Sequence, residues 1–198
     1  MKAKLLIIAN NNIGTGQSGG DTIFLEFIKN WQSKIKITVF GSSETEYLLK
    51  RYQLSPSFIK TDRHLSTISP TPLNLFCHQL RRIFVGKICF LKNINTFRKS
   101  DYCYTVSDFL PDFIFGLFYK IVNPRGTWLC GQYLFSPHPG SKNSPYRQEA
   151  LKGYLYYLAQ LITQFFARRF ANQILITSEP DRSHFPNKKI IVVQGGVD

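Results

Sequence analysis

Residues 4–41 read KLLIIANNNIGTGQSGGDTIFLEFIKNWQSKIKITVFG, and their order decides the fold. The apolar run at 4–10 is of the kind found in strands buried within parallel sheets. A polar, glycine-rich loop follows over 10–21. In 22–31, Ile23, Phe24, Phe27, Ile28 and Trp31 recur at helical spacing. Residues 34–41, rich in β-branched side chains and stopped by Gly41, read as a second strand.

Working outward, the same alternation continues. Residues 42–52 predict a capped helix, with Ser42 or Ser43 at its start, acids in its first turn, and Lys50 and Arg51 in its last. A short third strand is expected within 55–62, then a loop broken by Pro and Ser, then a long helix from about Leu73 to Ile94. Strand-like 101–108 leads to a helix over 110–122 with Pro111 in its first turn, where a missing N–H costs nothing. Residues 127–135 read as another strand, and 136–148 as a loop with three prolines. The long helix expected from Glu149 to Phe170 carries apolar side chains on most of its circumference, and packing in the core is the reading for most of that face. A strand running into a helix start at 172–181 and a final strand ending in glycines complete the chain. Six or seven strand–helix alternations without hairpin signals predict a Rossmann-like α/β fold, a parallel sheet with helices on both faces. Functional residues then belong to loops at the carboxyl ends of the strands: 10–21, 107–112, 133–141 and 177–181.

Over 198 residues the formal net charge is +13, which attracts phosphate-rich partners. The basic residues come in pairs such as Arg81-Arg82 and Arg168-Arg169 rather than as a tail, so no nucleic-acid-binding arm is indicated. The apolar stretch at the N-terminus is too short for a secretory signal. Residues 151–170, interrupted by Lys152, Gln160, Thr163 and Gln164, fall short of a membrane span. Cys77, Cys89, Cys103 and Cys130 form no C-x-x-C pair and are expected as free thiols, which implies a cytoplasmic chain.

The glycine loop contains a literal G-x-G-x-x-G at Gly14, Gly16 and Gly19. A dinucleotide site wants its first glycine at the strand end and an acid closing the second strand, and neither is present. What remains is a helix N-terminus at Gly19-Gly20, whose N–H groups and dipole suit a phosphate or sugar hydroxyl, or simply a strand-to-helix turn needing small residues. Asp108 and Asp112 flank Leu110-Pro111, and Asp108 is read as a helix cap as well as a site candidate. His138 sits in a loop where a general base can stand. His64, His78 and His184 have no partner at meaningful spacing and default to the surface. Glu179 follows a strand end, where it equally fits a first helical turn.

Taken together, residues 4–10, Gly19-Gly20 with its helix, and 34–42 resemble the first strand, helix start and second strand of glycosyltransferase family 4, retaining enzymes of the GT-B fold. Residues 101–112 resemble that family's fourth strand. Residues 171–185 followed by 188–198 are similar to its exit from the first domain, with Gly195 where Asn is usual. The resemblance implies that residues 1–198 form the acceptor-side domain and that a donor-binding domain, absent here, would follow Asp198. Many members end the strand matching 127–135 with a His that touches the transferred sugar; this chain has Tyr133 there, with His138 five residues on.

The resemblance places Gly19 and Gly20 in the cleft wall near the donor phosphates. Asp108, Tyr133 and His138 would line the acceptor side, and Glu179 would stand near the domain junction. It implies a nucleotide sugar as substrate, bound mainly by the other half, a sugar or lipid-linked acceptor, and no cofactor or metal. By itself this half would not turn over. The helix around Tyr154 to Phe170, ending in Arg168-Arg169, would let the chain rest on an anionic membrane at the inner face. Two other classes stay open: a non-catalytic subunit that docks a separately encoded donor-binding subunit, and a nucleotide-binding oxidoreductase domain.

Overall fold

A computed structural model describes residues 2–62, 71–141, 144 and 148–193. Seven strands, β1 (Lys4–Ala9), β2 (Lys36–Gly41), β3 (Ser57–Lys60), β4 (Tyr102–Thr105), β5 (Thr127–Gly131), β6 (Gln173–Ile176) and β7 (Lys189–Val192), form one sheet in the order β3-β2-β1-β4-β5-β6-β7. Every pairing is parallel, from Lys4↔Lys36 through Ala9↔Gly41 on one side of β1 and Leu5↔Tyr102 through Ile8↔Thr105 on the other. The strand order reverses between β1 and β4, which opens a crevice at their carboxyl ends. Leu6, Ile7, Ile8 and Ala9 are all fully buried, because side chains on both faces of β1 meet helices.

The helices are α1 (Gly19–Trp31), α2 (Ser43–Arg51), α3 (Pro72–Lys92), α4 (Ile94–Lys99), α5 (Leu110–Val122) and α6 (Ala150–Phe170), with a 3₁₀ helix at Glu179–His184. One core cluster joins Phe24 and Ile28 of α1 and Leu49 of α2 to Ile7, Val39 and Leu175. The other joins Phe90, Phe97, Phe113, Phe115, Tyr119 and Ala167 of α3 to α6 to Trp128, Leu6 and Ile174. Gly116 lets α5 press onto the sheet: a Cβ there would lie 2.5 Å from the Trp128 ring. The Trp128 indole N–H donates to Thr105 Oγ1 at 3.2 Å, so this buried aromatic has its polar group satisfied.

Several expectations need correction. The long helix over 73–94 stops at Asn93, whose N–H goes to the carbonyls of Cys89 and Phe90 while its side chain also returns to Cys89 O. Of the two serines expected at the start of α2, Ser42 is the one that caps it. Asp108 does not cap α5; the cap position is Phe109, without a side-chain hydrogen bond. His78 is buried rather than superficial, while His184 is exposed as expected. Trp31 is 47% exposed, so the apolar stripe of α1 does not bury its last member.

The largest correction concerns α6. Its buried positions are Gly153, Gln160, Thr163, Gln164 and Ala167, and its Leu, Ile and several aromatic side chains face outward. Helix α3 has the same inversion, burying His78, Arg82, Gly86 and Phe90. His64 and the closing Gly195, Gly196, Val197 and Asp198 lie outside the described residues. Among the described residues no helix is long and apolar enough to cross a membrane.

Candidate functional site

The crevice at the carboxyl edge begins with the loop leaving β1. Asn10 is fully buried, its side-chain N–H donating to Arg82 O at 3.3 Å and its Oδ1 accepting from Thr61 Oγ1 at 2.6 Å. Arg82 in turn ion-pairs with Glu44 and Asp62, donates from Nε to His78 Nε2 at 3.2 Å, and from Nη2 to Asn12 O at 3.4 Å. Burial first, then the Arg82 charge, hold His78 down to about 4, so it stays neutral and free to accept that bond. This buried polar cluster supports the floor of the loop. Buried charges are tolerated only when paired and hydrogen-bonded in this way.

Asp112, in the first turn of α5, closes the loop from the opposite side. One carboxyl oxygen accepts the amides of Asn10 and Asn11, the latter at 2.9 Å, and the other accepts Ser107 Oγ at 2.6 Å. Gly14 then turns the chain with φ +67°, a left-handed backbone that costs glycine little. Helix α1 starts at a capping box. Ser18 Oγ accepts the Asp21 amide at 3.2 Å, and the Asp21 carboxylate accepts the Ser18 amide at 2.8 Å. The amides of Gly19 and Gly20, in the first turn, have no intrahelical acceptor. A Cβ on Gly19 would meet open space, whereas one on Gly20 would stand 3.4 Å from Val106 O and 3.5 Å from the Tyr133 ring.

Between these walls lies a cavity of about 640 Å³, bounded by the loop 11–21, by Val106 to Phe109 and Asp112, and by Tyr133, Leu134 and Thr177. Gly19, Gly20, Asp108 and Tyr133 all line it. The Tyr133 hydroxyl is shared with Tyr104 at 2.7 Å, so its ring rather than a free hydroxyl forms the wall. Asp108 is 6% exposed and accepts from Gln160 Nε2 at 3.1 Å. Burial pushes the carboxyls of Asp108 and Asp112 up to about 7, against the hydrogen bonds that favour their charged forms. A carboxyl poised near neutrality beside a cavity can give or take a proton there.

The other two candidates stand apart. His138 is exposed; its Nδ1 accepts the Gly140 amide at 3.1 Å, and its ring lies edge-on to Tyr154 and Tyr157 of α6. Glu179 is exposed and holds Arg182 with both carboxyl oxygens, at 2.8 and 3.0 Å. Neither is among the described residues lining the cavity. Among those lining residues there is also no Lys or Arg, so an anion would meet the α1 N-terminus, backbone amides and neutral side-chain donors such as Asn12 rather than a cation. Among the described residues no cluster of His, Cys, Asp or Glu is set to hold a metal.

Sequence reasoning did not single out Gln160. Its amide N–H also donates to Leu134 O at 2.7 Å, and its carbonyl accepts the Ser136 amide at 2.8 Å, which ties the loop after β5 to Asp108. The signal was a polar residue interrupting an apolar helix. Ser18-x-x-Asp21 ahead of an apolar run was the readable sign of the capping box.

No protein-family model and no curated protein matches the chain. Solved structures do. HepE of Anabaena, crystallised in complex with UDP-glucose, superposes with a TM-score of 0.57 at 12% identity, over 98% of this chain and 44% of HepE. A Listeria monocytogenes protein named as a UDP-N-acetylglucosamine 2-epimerase gives 0.52 at 13% identity, over 97% of this chain and 44% of that one. The glycotransferase of kitacinnamycin gives 0.54 at 8% identity, over 100% and 52% respectively. The shared feature is the fold, a Rossmann-like half of the GT-B kind. The chain spans about half the length of these structures or less.

Proposed function

We propose that this chain is the acceptor-side half of a retaining, sugar-nucleotide-dependent glycosyltransferase resembling family 4. The observation that carries the reading is the cavity at the β1/β4 reversal, walled by the N-terminus of α1 and by the buried carboxyl of Asp108. Support also comes from the fold it shares with HepE, a protein crystallised with UDP-glucose. In this reading the Gly19 and Gly20 amides approach a donor phosphate, and the Tyr133 ring packs against a sugar. Asp108 manages a proton on an acceptor hydroxyl, which belongs to a sugar or a lipid-linked glycan. Gln160 positions Asp108. His138 and Glu179 enter only as residues of the flanking loops, Glu179 on the side of the domain junction.

With no Lys or Arg among the described lining residues, most counter-charge for a diphosphate comes from a donor-binding half. That half is either on the same polypeptide or on a separately encoded subunit. No cofactor is required beyond the nucleotide sugar itself. The test is saturation-transfer NMR with millimolar UDP-glucose as the probe. Transfer to the ligand is expected with the wild-type chain and lost in Gly20→Leu, whose side chain would fill the space beside Val106 and Tyr133. Absence of transfer to wild type, or transfer undiminished in Gly20→Leu, overturns the placement of a donor phosphate at the start of α1.

A further inference from the structure

Helices α3 and α6 lie on the sheet face that α5 also covers, and a groove of about 200 Å³ runs between them, lined by Leu75, Phe76, Leu155, Leu158, Ala159 and Ile162 among others. Both are amphipathic in the wrong sense for water. Helix α3 buries His78 and Arg82 and exposes Leu73, Phe76, Leu80, Phe84, Ile88 and Leu91, with Leu73 and Phe84 at 68% and 66% exposure. Helix α6 buries Gln160, Thr163 and Gln164 and exposes Leu151, Leu155, Leu158, Leu161, Ile162 and Phe165, with Phe165 at 65%. A helix on a solvated surface turns its apolar stripe inward. Two neighbouring helices that both turn it outward form an apolar patch well beyond what isolated surface side chains make.

The charge on this face is of one sign. Neither α3 nor α6 contains an Asp or Glu. Arg81, Lys87 and Lys92 are exposed on α3, and Arg169 on α6. Arg168 is turned back, its Nε donating to His184 O at 2.8 Å, and Lys152 pairs with Glu149 just ahead of α6. A second copy of this chain does not complement such a face, because isologous pairing would set the same basic residues against each other. An apolar stripe rimmed by cations, on helices that contain no acid, is complementary to the head-group boundary of an anionic bilayer, with hydrocarbon below and phosphate above.

We propose that the α3/α6 face docks in-plane on anionic lipid, its Leu, Ile and Phe side chains entering the acyl boundary and Arg81, Lys87, Lys92 and Arg169 meeting lipid phosphates. Phe109 lines both the groove and the cavity, so the cleft mouth stands beside the bilayer in this pose. The proposal does not depend on what the cavity binds.

The experiment is co-sedimentation of the 198-residue chain with vesicles of phosphatidylcholine containing roughly 30% phosphatidylglycerol. The comparisons are phosphatidylcholine alone, and the mixed vesicles at about 50 and about 500 mM NaCl. Binding is expected to the mixed vesicles, to weaken with salt, and to fall at least about tenfold in Phe84→Glu/Phe165→Glu. Those side chains are largely exposed, so the variant should melt with the wild type; Arg81→Ala/Lys87→Ala/Arg169→Ala gives an independent second arm and should lose the salt-sensitive part. No binding by wild type at low salt overturns the proposal, and so does wild-type binding by Phe84→Glu/Phe165→Glu. A concentration-dependent dimer in sedimentation velocity that this variant abolishes, without vesicle binding, assigns the face to a second copy instead.

Discussion

Asp108 shows what burial does to a single side chain. Its carboxyl ordinarily ionises at 3.8 but stands at about 7 in the fold, because burial disfavours the anion more than the Gln160 hydrogen bond favours it. The folded chain therefore holds this proton over a range where the unfolded chain has lost it. The stability linked to it is full below 3.8 and is lost as pH rises to about 7. Compared with Asp108→Asn, the wild-type chain should gain stability on going from about pH 7.5 to about pH 4.5. Thermal melts of both proteins at the two pH values measure it, and an unchanged difference would refute the raised value. Asp108 was visible in the sequence as an acid before a helix. That it bonds Gln160 instead of capping α5 was not, because the partner comes from a helix 52 positions along the chain.

Among the elements, α1 has a start that is entirely local, yet only Gly19-Gly20 was named there from the sequence, and not the Ser18 cap. Ser18 and Asp21 satisfy each other's amides within a single turn, and the apolar stripe behind them selects the face that meets the sheet. Ser18→Ala should destabilise the chain by about 1 kcal/mol, and Ser18→Gly by only a few tenths. Urea unfolding of the two variants checks this, and equal losses would mean that the cap is not what holds the turn. Helices α3 and α6 were found close to their true bounds, but the apolar face of α6 was assigned inward, and no face of α3 was assigned. Periodicity locates an apolar stripe without saying what lies against it. On α3 the buried stripe carries Arg82, whose ion-pair partners Glu44 and Asp62 belong to α2 and to the chain after β3. Of the polar residues of α6 that argued against a membrane span, Gln160, Thr163 and Gln164 are the ones that face the protein.

For the whole molecule, the parallel sheet holds its helices through a few large side chains at close approach. Trp128 is fully buried on β5, lies 5.2 Å centroid to centroid from Phe113, fills the space left by Gly116 and bonds Thr105. Trp128→Ala should cost about 3–5 kcal/mol in denaturant unfolding, since the cavity opens where α5 and two strands meet and cannot readily close. A loss below about 1 kcal/mol would show that this face collapses around the gap. The alternation that produced the sheet also placed the cavity, because a reversal of strand order opens a crevice whatever lines it. Four of the six candidate residues sit in its wall, while His138 and Glu179 do not, as strand-end loops differ in which way they fold.

The amino-acid sequence by itself determined the strand–helix alternation and the carboxyl-edge loops, set by neighbours within a few residues, and the alternation without hairpin turns implied a parallel sheet. Only the tertiary structure decided the strand order, the Arg82 cluster beneath the loop after β1, the pairing of Asp108 with Gln160, and the outward turn of the apolar faces of α3 and α6. The physical reason is range. Hydrogen-bond periodicity and capping act within a turn or a strand, whereas desolvation, ion pairing and the choice of buried face depend on which distant segments the fold brings into contact.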